Sequence, residues 1–217
     1  MSEGTTERPT AERGIGEWLA ALASDSATPG GGAYAGLTGA AGAAMLSMVG
    51  RLTIGKPDHA DVQTRMQELV AAADDTRIGF LELADRDAHA FDSVMVAFRM
   101  PRETDDEKAA RSAAIQRGYV DAANVPLEIA RKAVDLLPLA EDATALGNPQ
   151  AASDGYCGAI ALAAAARAAI ANVQINAAAL KNAARRDELL DTCTALRSRA
   201  DELLEHAETA FTNRTLP

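Results

Sequence analysis

Apolar residues recur every three or four positions through most of this 217-residue chain, which is the spacing of one helix face. The pattern begins around Trp18, and its longest stretch runs from His59 to about Phe98, with Gly79 as a possible interruption. No stretch alternates with the two-residue period of a strand. The pattern therefore predicts an all-α chain, folded as a single-domain helical bundle with one long central helix.

Capping residues, glycines and prolines mark the ends of the predicted helices. The expected capping residues are Thr10, Asp58, Thr104 and Ser153. Pro126 and Pro138 are expected to break or kink the helix that follows Thr104, because proline lacks the N–H group that a helix interior needs. The predicted segments are 10–22, 33–54, 59–98, 104–146, 153–181 and 185–211.

Composition is consistent with one closely packed helical domain. Apolar residues make up 48% of the chain but aromatic residues only 4%, and alanine supplies much of the remainder. Small side chains suit helices that approach one another closely, whereas strands favour β-branched and aromatic residues. We expect a flexible tail over residues 1–9 and one helical domain over residues 10–217.

Charge and cysteine content exclude several classes of protein. A net charge of −10 argues against general nucleic-acid binding and against attraction to an anionic membrane. Two cysteines provide neither a disulfide framework nor zinc-ligand spacing. The polar N-terminus lacks the apolar segment of a signal peptide, and no apolar run is long and unbroken enough to span a bilayer. The prediction is a soluble, cytoplasmic protein.

Three consecutive glycines follow Thr28 and Pro29 and immediately precede a predicted helix. Glycines at 30, 31 and 32 allow a tight turn, and they also allow backbone N–H groups to approach a ligand. The N-terminus of a helix attracts anions. The turn is therefore either a packing device or an anion-binding site.

Asp87 interrupts the apolar face of the long helix, which includes Leu83, Phe91 and Val94. A buried carboxyl group has a raised pKa, which suits proton transfer, but such a group can equally be a hydrogen-bonded structural residue. Asp85 lies about 200° away around the helix and is expected to be solvated.

The alanine-rich helix carries three further polar candidates. Asp154 lies in its first turn, where an acid favours the helix dipole whether or not it has another role. Asn172 and Asn176 are one turn apart within an apolar stretch, and buried amides need hydrogen-bond partners from the backbone or a ligand. Asp154 and Asn172 are about 27 Å apart along one helix, so they cannot contact the same small group within one subunit.

Taken together, these stretches resemble the cyclodeaminase/cyclohydrolase family, which includes the cyclodeaminase domain of formiminotransferase-cyclodeaminase and freestanding methenyltetrahydrofolate cyclohydrolases. The resemblance extends from about Ile15 to about Glu205. Each motif is weak alone, and the specificity lies in their order and spacing. The matching stretches are Thr28–Gly32, Met48–Lys56, Asp85–Asp92, Pro101–Lys108, Val125–Leu127, Gly147–Asn148, Ser153–Asp154 and Asn172–Asn176.

The resemblance implies an all-α homodimer with a folate substrate bound near the subunit interface. It implies a catalytic aspartate in the acidic helix motif, which we assign to Asp87 with Asp85 as the alternative, and a supporting catalytic role for Asp154. A dimer would allow Asp154 of one chain to approach Asn172 or Asn176 of the other, which the sequence alone does not show. The candidate substrate-binding residues are Thr28, Pro29, Gly30, Gly31, Gly32, Lys56, Asn148, Asn172 and Asn176.

The function implied is tetrahydrofolate one-carbon metabolism. We favour a cyclohydrolase that converts 5,10-methenyltetrahydrofolate to 10-formyltetrahydrofolate, because no transferase half accompanies the domain and Leu52–Lys56 resembles those enzymes. The alternatives are a formiminotetrahydrofolate cyclodeaminase, which releases ammonia, and a non-enzymatic folate-binding helical dimer. Neither reaction requires a metal or redox cofactor, so no cofactor is expected beyond the folate substrate, and no nucleic acid or membrane is expected as a partner.

Overall fold

The computed structural model describes residues 8–215, which form six α-helices, three short 3₁₀ helices and no strand. The α-helices are α1 (Ile15–Leu22), α2 (Gly31–Thr53), α3 (Gln63–Phe98), α4 (Asp105–Leu146), α5 (Ala152–Ala178) and α6 (Ala183–Thr215). The 3₁₀ helices are Thr10–Glu12, Pro57–Val62 and Pro149–Ala151. The all-α prediction is confirmed. The predicted N-terminal tail lies outside the described residues, except for Arg8 and Pro9.

Small residues bring α2 close to both α3 and α5. A Cβ atom added at Gly36 of α2 would lie 2.7 Å from the carbonyl oxygen of Phe80 in α3. A Cβ atom added at Gly158 of α5 would lie 2.7 Å from a methyl group of Leu46 in α2. Because Gly31 at the start of α2 lies beside Asn172 near the end of α5, these two helices run antiparallel.

Two helices are very long, where the sequence predicted one. α3 continues through Gly79 for 36 residues, as the apolar pattern allowed. α4 extends over 42 residues with both Pro126 and Pro138 inside it, so the expected break at these prolines is wrong, and the alternative of a kink stays a prediction. The helix persists because tertiary packing outweighs local propensity, and Pro126 lies buried in the bundle.

One of the four predicted caps is confirmed. The Thr104 hydroxyl accepts a hydrogen bond from the Glu107 N–H, and the Glu107 carboxylate accepts one from the Thr104 N–H. Asp58 lies instead within the 3₁₀ helix Pro57–Val62, ahead of α3. Ser153 lies inside α5, whose N-cap residue is Ala151. Thr10 precedes α1 by several residues and makes a long-range contact, described below.

Two helical stretches, Gly31–Thr53 and Pro149–Ala178, are long and apolar enough to cross a membrane by length and composition. This differs from the expectation that no such run exists. About 61% of the most apolar window in the first stretch and 50% in the second are buried inside the bundle. Burial of this kind is typical of the core helices of a bundle, whose apolar surface is covered by neighbouring helices.

Candidate active site

A cavity of about 330 Å³ lies where the C-terminal half of α3 meets the connection between α1 and α2, with α4 and α5 on its other sides. This volume falls within the range of about 300 to 1,000 Å³ typical of small-molecule sites. Six residues predicted from the sequence line it: Thr28, Gly30, Gly31, Asp87, Asn172 and Asn176. The fold thus brings together residues from three separate stretches of the chain: the glycine turn, α3 and α5.

Asp87 is half-buried at this cavity and caps the first turn of α2 from a different helix. Its Oδ2 atom accepts a hydrogen bond from the Ala33 N–H at 3.1 Å. Gly30, the N-cap residue, provides no capping side chain. Burial raises the pKa of Asp87 to about 6, because desolvation disfavours the charged carboxylate, while the Ala33 N–H acts in the opposite direction. The carboxyl group can therefore both accept and return a proton near neutral pH.

Gly32 makes this arrangement possible. A Cβ atom at that position would overlap the carboxylate of Asp87, since all three of its nearest atoms belong to that group. The anion at the N-terminus of α2 is thus a carboxylate of the protein itself. A contact between the glycine turn and the substrate stays a prediction, to which the structure adds that Gly30 and Gly31 line the cavity.

Asn172 and Asn176 present the same chemical group to the cavity. The Nδ2 atom of Asn172 donates to the Ala168 carbonyl at 2.9 Å, and that of Asn176 donates to the Ala122 carbonyl at 2.8 Å. No donor from residues 8–215 reaches the Oδ1 atom of either amide. Both side chains therefore offer oxygen acceptors to a ligand that carries N–H or O–H groups.

Asp85 differs from the expectation that it is solvated. It is half-buried, and its carboxylate accepts hydrogen bonds from the Thr10 N–H at 2.9 Å and from the Thr10 hydroxyl at 2.6 Å. It lines a separate cavity of about 90 Å³, together with Trp18 and Pro29. These bonds fix the segment before α1 onto α3. Of the two aspartates, Asp87 is the one that lines the larger cavity.

Three predicted site residues lie at the other end of α2. Lys56 is exposed just beyond this end, and Asp154 is half-buried in the first turn of α5. The Asn148 N–H donates to the Thr53 hydroxyl at 2.8 Å, and its Oδ1 atom caps the Gln150 N–H at 3.1 Å. Since α2 spans 23 residues, this end is about 33 Å from the cavity, and one chain does not bring the two groups together.

The polar residues that line the cavity are Asp87, Asn172, Asn176, Thr28 and Tyr119, a set suited to an organic ligand. Within residues 8–215, no group of three or more His, Cys, Asp or Glu side chains is arranged to hold a metal ion.

Comparison with known proteins identifies the family. The profile of formiminotransferase-cyclodeaminase matches residues 14–195. This chain belongs to the formiminotransferase-cyclodeaminase family. It is 37% identical over 191 residues to the methenyltetrahydrofolate cyclohydrolase of Methylorubrum extorquens, an alignment that covers 88% of this chain and 92% of that protein.

Two further relatives match over different shares of their own length. The chain is 32% identical to the formimidoyltransferase-cyclodeaminase of Sus scrofa over 81% of its own length but only 32% of that protein. The crystal structure of formiminotetrahydrofolate cyclodeaminase from Thermotoga maritima superposes with a TM-score of 0.84 at 26% identity, covering 94% of this chain and 98% of that one. The recognition of this family from sequence motifs is confirmed.

In this family member, sequence reasoning missed the aromatic wall of the cavity. Phe91 and Phe98 follow the helical spacing of the apolar face of α3, but they are 38% and 40% exposed and line the cavity. Tyr119 of α4 meets Phe98 edge to face, with ring centroids 6.2 Å apart. The sequence could have indicated this wall, because Phe91 lies one turn after Asp87 on the same face of the helix.

Proposed function

We propose that this protein is a methenyltetrahydrofolate cyclohydrolase, which hydrolyses 5,10-methenyltetrahydrofolate to 10-formyltetrahydrofolate. The observation that carries the proposal is Asp87, a carboxyl group with a pKa of about 6 on the wall of a cavity of suitable size. The relative in Methylorubrum extorquens, which aligns over nearly its whole length, supports this reaction.

The carboxylate of Asp87 has two roles in the proposed reaction. Its negative charge stabilises the cationic methenyl bridge, and as a general base it removes a proton from the water that attacks the bridge carbon. The carbon–N5 bond then breaks as N5 takes up a proton from the Asp87 carboxyl group, and the carboxylate is thereby regenerated. The hydroxyl group derived from the water loses its remaining proton to solvent and becomes the carbonyl of the formyl group, which stays on N10.

The cavity supplies two kinds of contact for a folate. Phe91, Phe98 and Tyr119 form an apolar wall against which a flat ring can pack. The Oδ1 atoms of Asn172 and Asn176 are acceptors for ring and amino N–H groups. The remaining turn residues, from Thr28 to Gly32, are proposed to shape the wall beside Asp87 and not to carry out chemistry.

The alternative reaction is that of a formiminotetrahydrofolate cyclodeaminase, as in the Thermotoga maritima structure. There N10 attacks the formimino carbon and ammonia leaves once it is protonated. A carboxyl group with a pKa of about 6 is equally suited to this step, because it is present in both protonation states near neutral pH. A non-enzymatic folate-binding protein is the third alternative.

We also propose that the protein is a homodimer through the exposed faces of α2 and α5. Tyr34, Met48 and Leu52 form one exposed stripe along α2, and Ile160 and Ile175 are exposed on its antiparallel neighbour α5. Exposed apolar residues that share a face of neighbouring helices are the reason for proposing an interaction surface here. A two-fold axis perpendicular to these helices would place the Asp154 end of one subunit beside the Asp87 end of the other.

In this arrangement Asp154, Asn148 and Lys56 serve the cavity of the partner subunit. Lys56 would then be available to a folate carboxylate, and Asp154 would support Asp87 across the interface. The two ends are about 33 Å apart within one chain, and this separation is the reason that the proposal requires two subunits.

A parallel assay tests the proposed function. Purified protein is given 5,10-methenyltetrahydrofolate and 5-formiminotetrahydrofolate separately, and methenyl absorbance and ammonia release are followed. We expect enzyme-dependent loss of methenyl absorbance without ammonia release. Ammonia formation from the formimino substrate as the faster reaction would favour the cyclodeaminase, and no turnover of either substrate would exclude both enzyme functions.

A further inference from the structure

Pro126 lies in the interior of α4 and leaves one carbonyl group of that helix without its usual donor. In an α-helix the N–H of residue i donates to the carbonyl of residue i−4, so position 126 would normally pair with Ala122. Proline has no N–H group, and its ring also crowds that carbonyl. Both Pro126 and Ala122 are buried, so a carbonyl oxygen left without a donor at this position is costly.

Asn176 supplies the missing donor from α5. Its Nδ2 atom donates to the Ala122 oxygen at 2.8 Å across a sequence separation of 54 residues. Because a carbonyl group accepts only from the NH₂ end of an amide, this bond determines which way the Asn176 side chain is turned. The Oδ1 atom is left for the cavity, which both Asn176 and Ala122 line.

The Asn172 amide is held in the same orientation by a hydrogen bond within its own helix. One turn earlier on α5, its NH₂ group donates to the carbonyl of Ala168 in its own helix. Asn176 has no such bond to its own helix and depends on α4 instead. The second proline of α4 provides a contrast: Pro138 leaves the Val134 carbonyl without a helical donor, and no side chain within residues 8–215 donates to that oxygen.

We propose that Pro126 is a positioning residue for ligand recognition: by withholding an N–H group it reserves the Ala122 carbonyl for Asn176, and so fixes the Asn176 amide with its oxygen toward the ligand. The ligand group recognised there is a hydrogen-bond donor, such as a ring or amino N–H. The inference rests on the proposed function for the identity of the ligand, but the link between Pro126 and Asn176 belongs to the fold alone.

A double-mutant cycle on unfolding tests this link without substrate. Asn176→Ala should lower Tm in the wild-type background, because the Ala122 carbonyl loses its donor. In the Pro126→Ala background the new N–H at position 126 satisfies that carbonyl, so the same Asn176→Ala change should lower Tm clearly less. In the Pro138→Ala background, the matched control, its effect should equal that in the wild type.

Steady-state kinetics with 5,10-methenyltetrahydrofolate then test positioning. Pro126→Ala should raise KM by about tenfold, the equivalent of one weakened hydrogen bond, with little change in kcat. Pro138→Ala should leave both parameters unchanged. Kinetics are used because the Tm of Pro126→Ala alone cannot isolate positioning. Alanine raises stability by its higher helix propensity, and loss of the buried proline ring lowers stability.

The two tests separate failure of this inference from failure of the proposed function. Additive Tm effects in the cycle would overturn the inference, whatever the enzyme's activity. An unchanged KM in Pro126→Ala would overturn it equally, even with a coupled cycle. A wild-type protein inactive on both folates, with a coupled cycle, would overturn the proposed function and leave the link between Pro126 and Asn176 standing.

Discussion

Asp87 experiences two opposing influences, and burial outweighs the hydrogen bond from Ala33 to bring its pKa to about 6. A cyclohydrolase that needs the carboxylate as a base should therefore lose activity as pH falls through this value. We expect kcat/KM to rise with pH up to about 6 to 7 and then level off. The measurement is initial rate against pH between 4.5 and 8, corrected for the reaction without enzyme, and an acid limb centred near pH 4 would contradict the assignment.

Replacing the carboxyl group of Asp87 should lower activity without lowering stability. We expect Asp87→Asn to lower kcat by about 10²- to 10⁴-fold, the usual contribution of a general base. Asp92→Asn, which removes an exposed carboxylate from the same helix, is the matched control and should retain activity. Full activity in Asp87→Asn would show that another group is the base.

The same variant makes a prediction about stability. The folded-state pKa of Asp87 lies above its ordinary value of 3.8, so the stability associated with its neutral form is present at low pH and is lost as pH rises through about 6. Asparagine is always neutral, and Asp87→Asn should gain on the order of 1–3 kcal/mol over the wild type at pH 8, with a smaller difference at pH 5. Thermal unfolding at both pH values measures this difference, and an equal difference at both would contradict it.

The burial and hydrogen-bond partners of a residue were predictable from sequence only where they depend on residues nearby in the chain. The partly buried position of Asp87 was predictable because it interrupts an apolar stripe, and the stripe is local; its catalytic role stays a prediction. Asp85 was misjudged, because its partner Thr10 lies 75 residues earlier in the chain. The donor role of Asn176 depends on a carbonyl in another helix, which no spacing within α5 reveals.

At the scale of elements, the junction of α2 and α3 depends on glycine. Gly32→Ala should displace the Asp87 carboxylate from the Ala33 N–H and lower kcat/KM by about 10²-fold or more. In Gly31→Ala the new Cβ atom would lie 2.8 Å from the Nδ2 atom of Asn172. Because this side chain can rotate away, we expect a smaller effect on activity, mainly a higher KM. Steady-state kinetics of both variants compare these outcomes.

A matched control for glycine replacement lies in α1. A Cβ atom at Gly16 would have no neighbour within 4 Å, so Gly16→Ala should preserve activity and raise stability by up to about 1 kcal/mol. Equal losses of activity in Gly16→Ala and Gly32→Ala would indicate that glycine removal disturbs the fold in general.

Helix existence was predictable from sequence, whereas helix ends and continuity were less so. The apolar period identified every long helix, because it reflects the face that each one buries. The prolines of α4 were expected to break or kink the helix, and no break occurs; the hydrogen bond that compensates for Pro126 comes from α5, where no local pattern could indicate it. The capping box at Thr104 was predicted correctly because all of its partners lie within four residues.

At the scale of the whole molecule, the proposed dimer can be tested through its apolar stripe. Met48→Glu places a charge on the exposed face of α2 and should convert the protein to a monomer with reduced activity. Ile78→Glu adds the same charge at an exposed apolar position on α3 and should leave the assembly intact. Light scattering after size-exclusion chromatography distinguishes these results, and a monomeric wild-type protein would exclude the dimer.

A mixed dimer tests whether the two ends of α2 serve one site. If Asp154 acts in the cavity of the partner, a heterodimer of Asp87→Asn and Asp154→Asn chains contains one intact site and should show about half of the wild-type activity. Co-expression with two affinity tags and tandem purification isolates this species. Activity no greater than that of the parent variants would contradict the proposal that Asp87 of one subunit and Asp154 of the other act in one site.

The hydrogen bond from Ala33 to Asp87 limits how the acidity of this carboxyl group can change. The donor is a main-chain N–H, so every substitution at position 33 except proline leaves it in place. The other present cause of the pKa of Asp87 is burial, so variants adapted to a different working pH would change the access of water to the carboxylate or place a new charge near it. Such adaptation should appear as changes in the side chains that cover the cavity, at Phe91 and its neighbours, while the first turn of α2 stays constant.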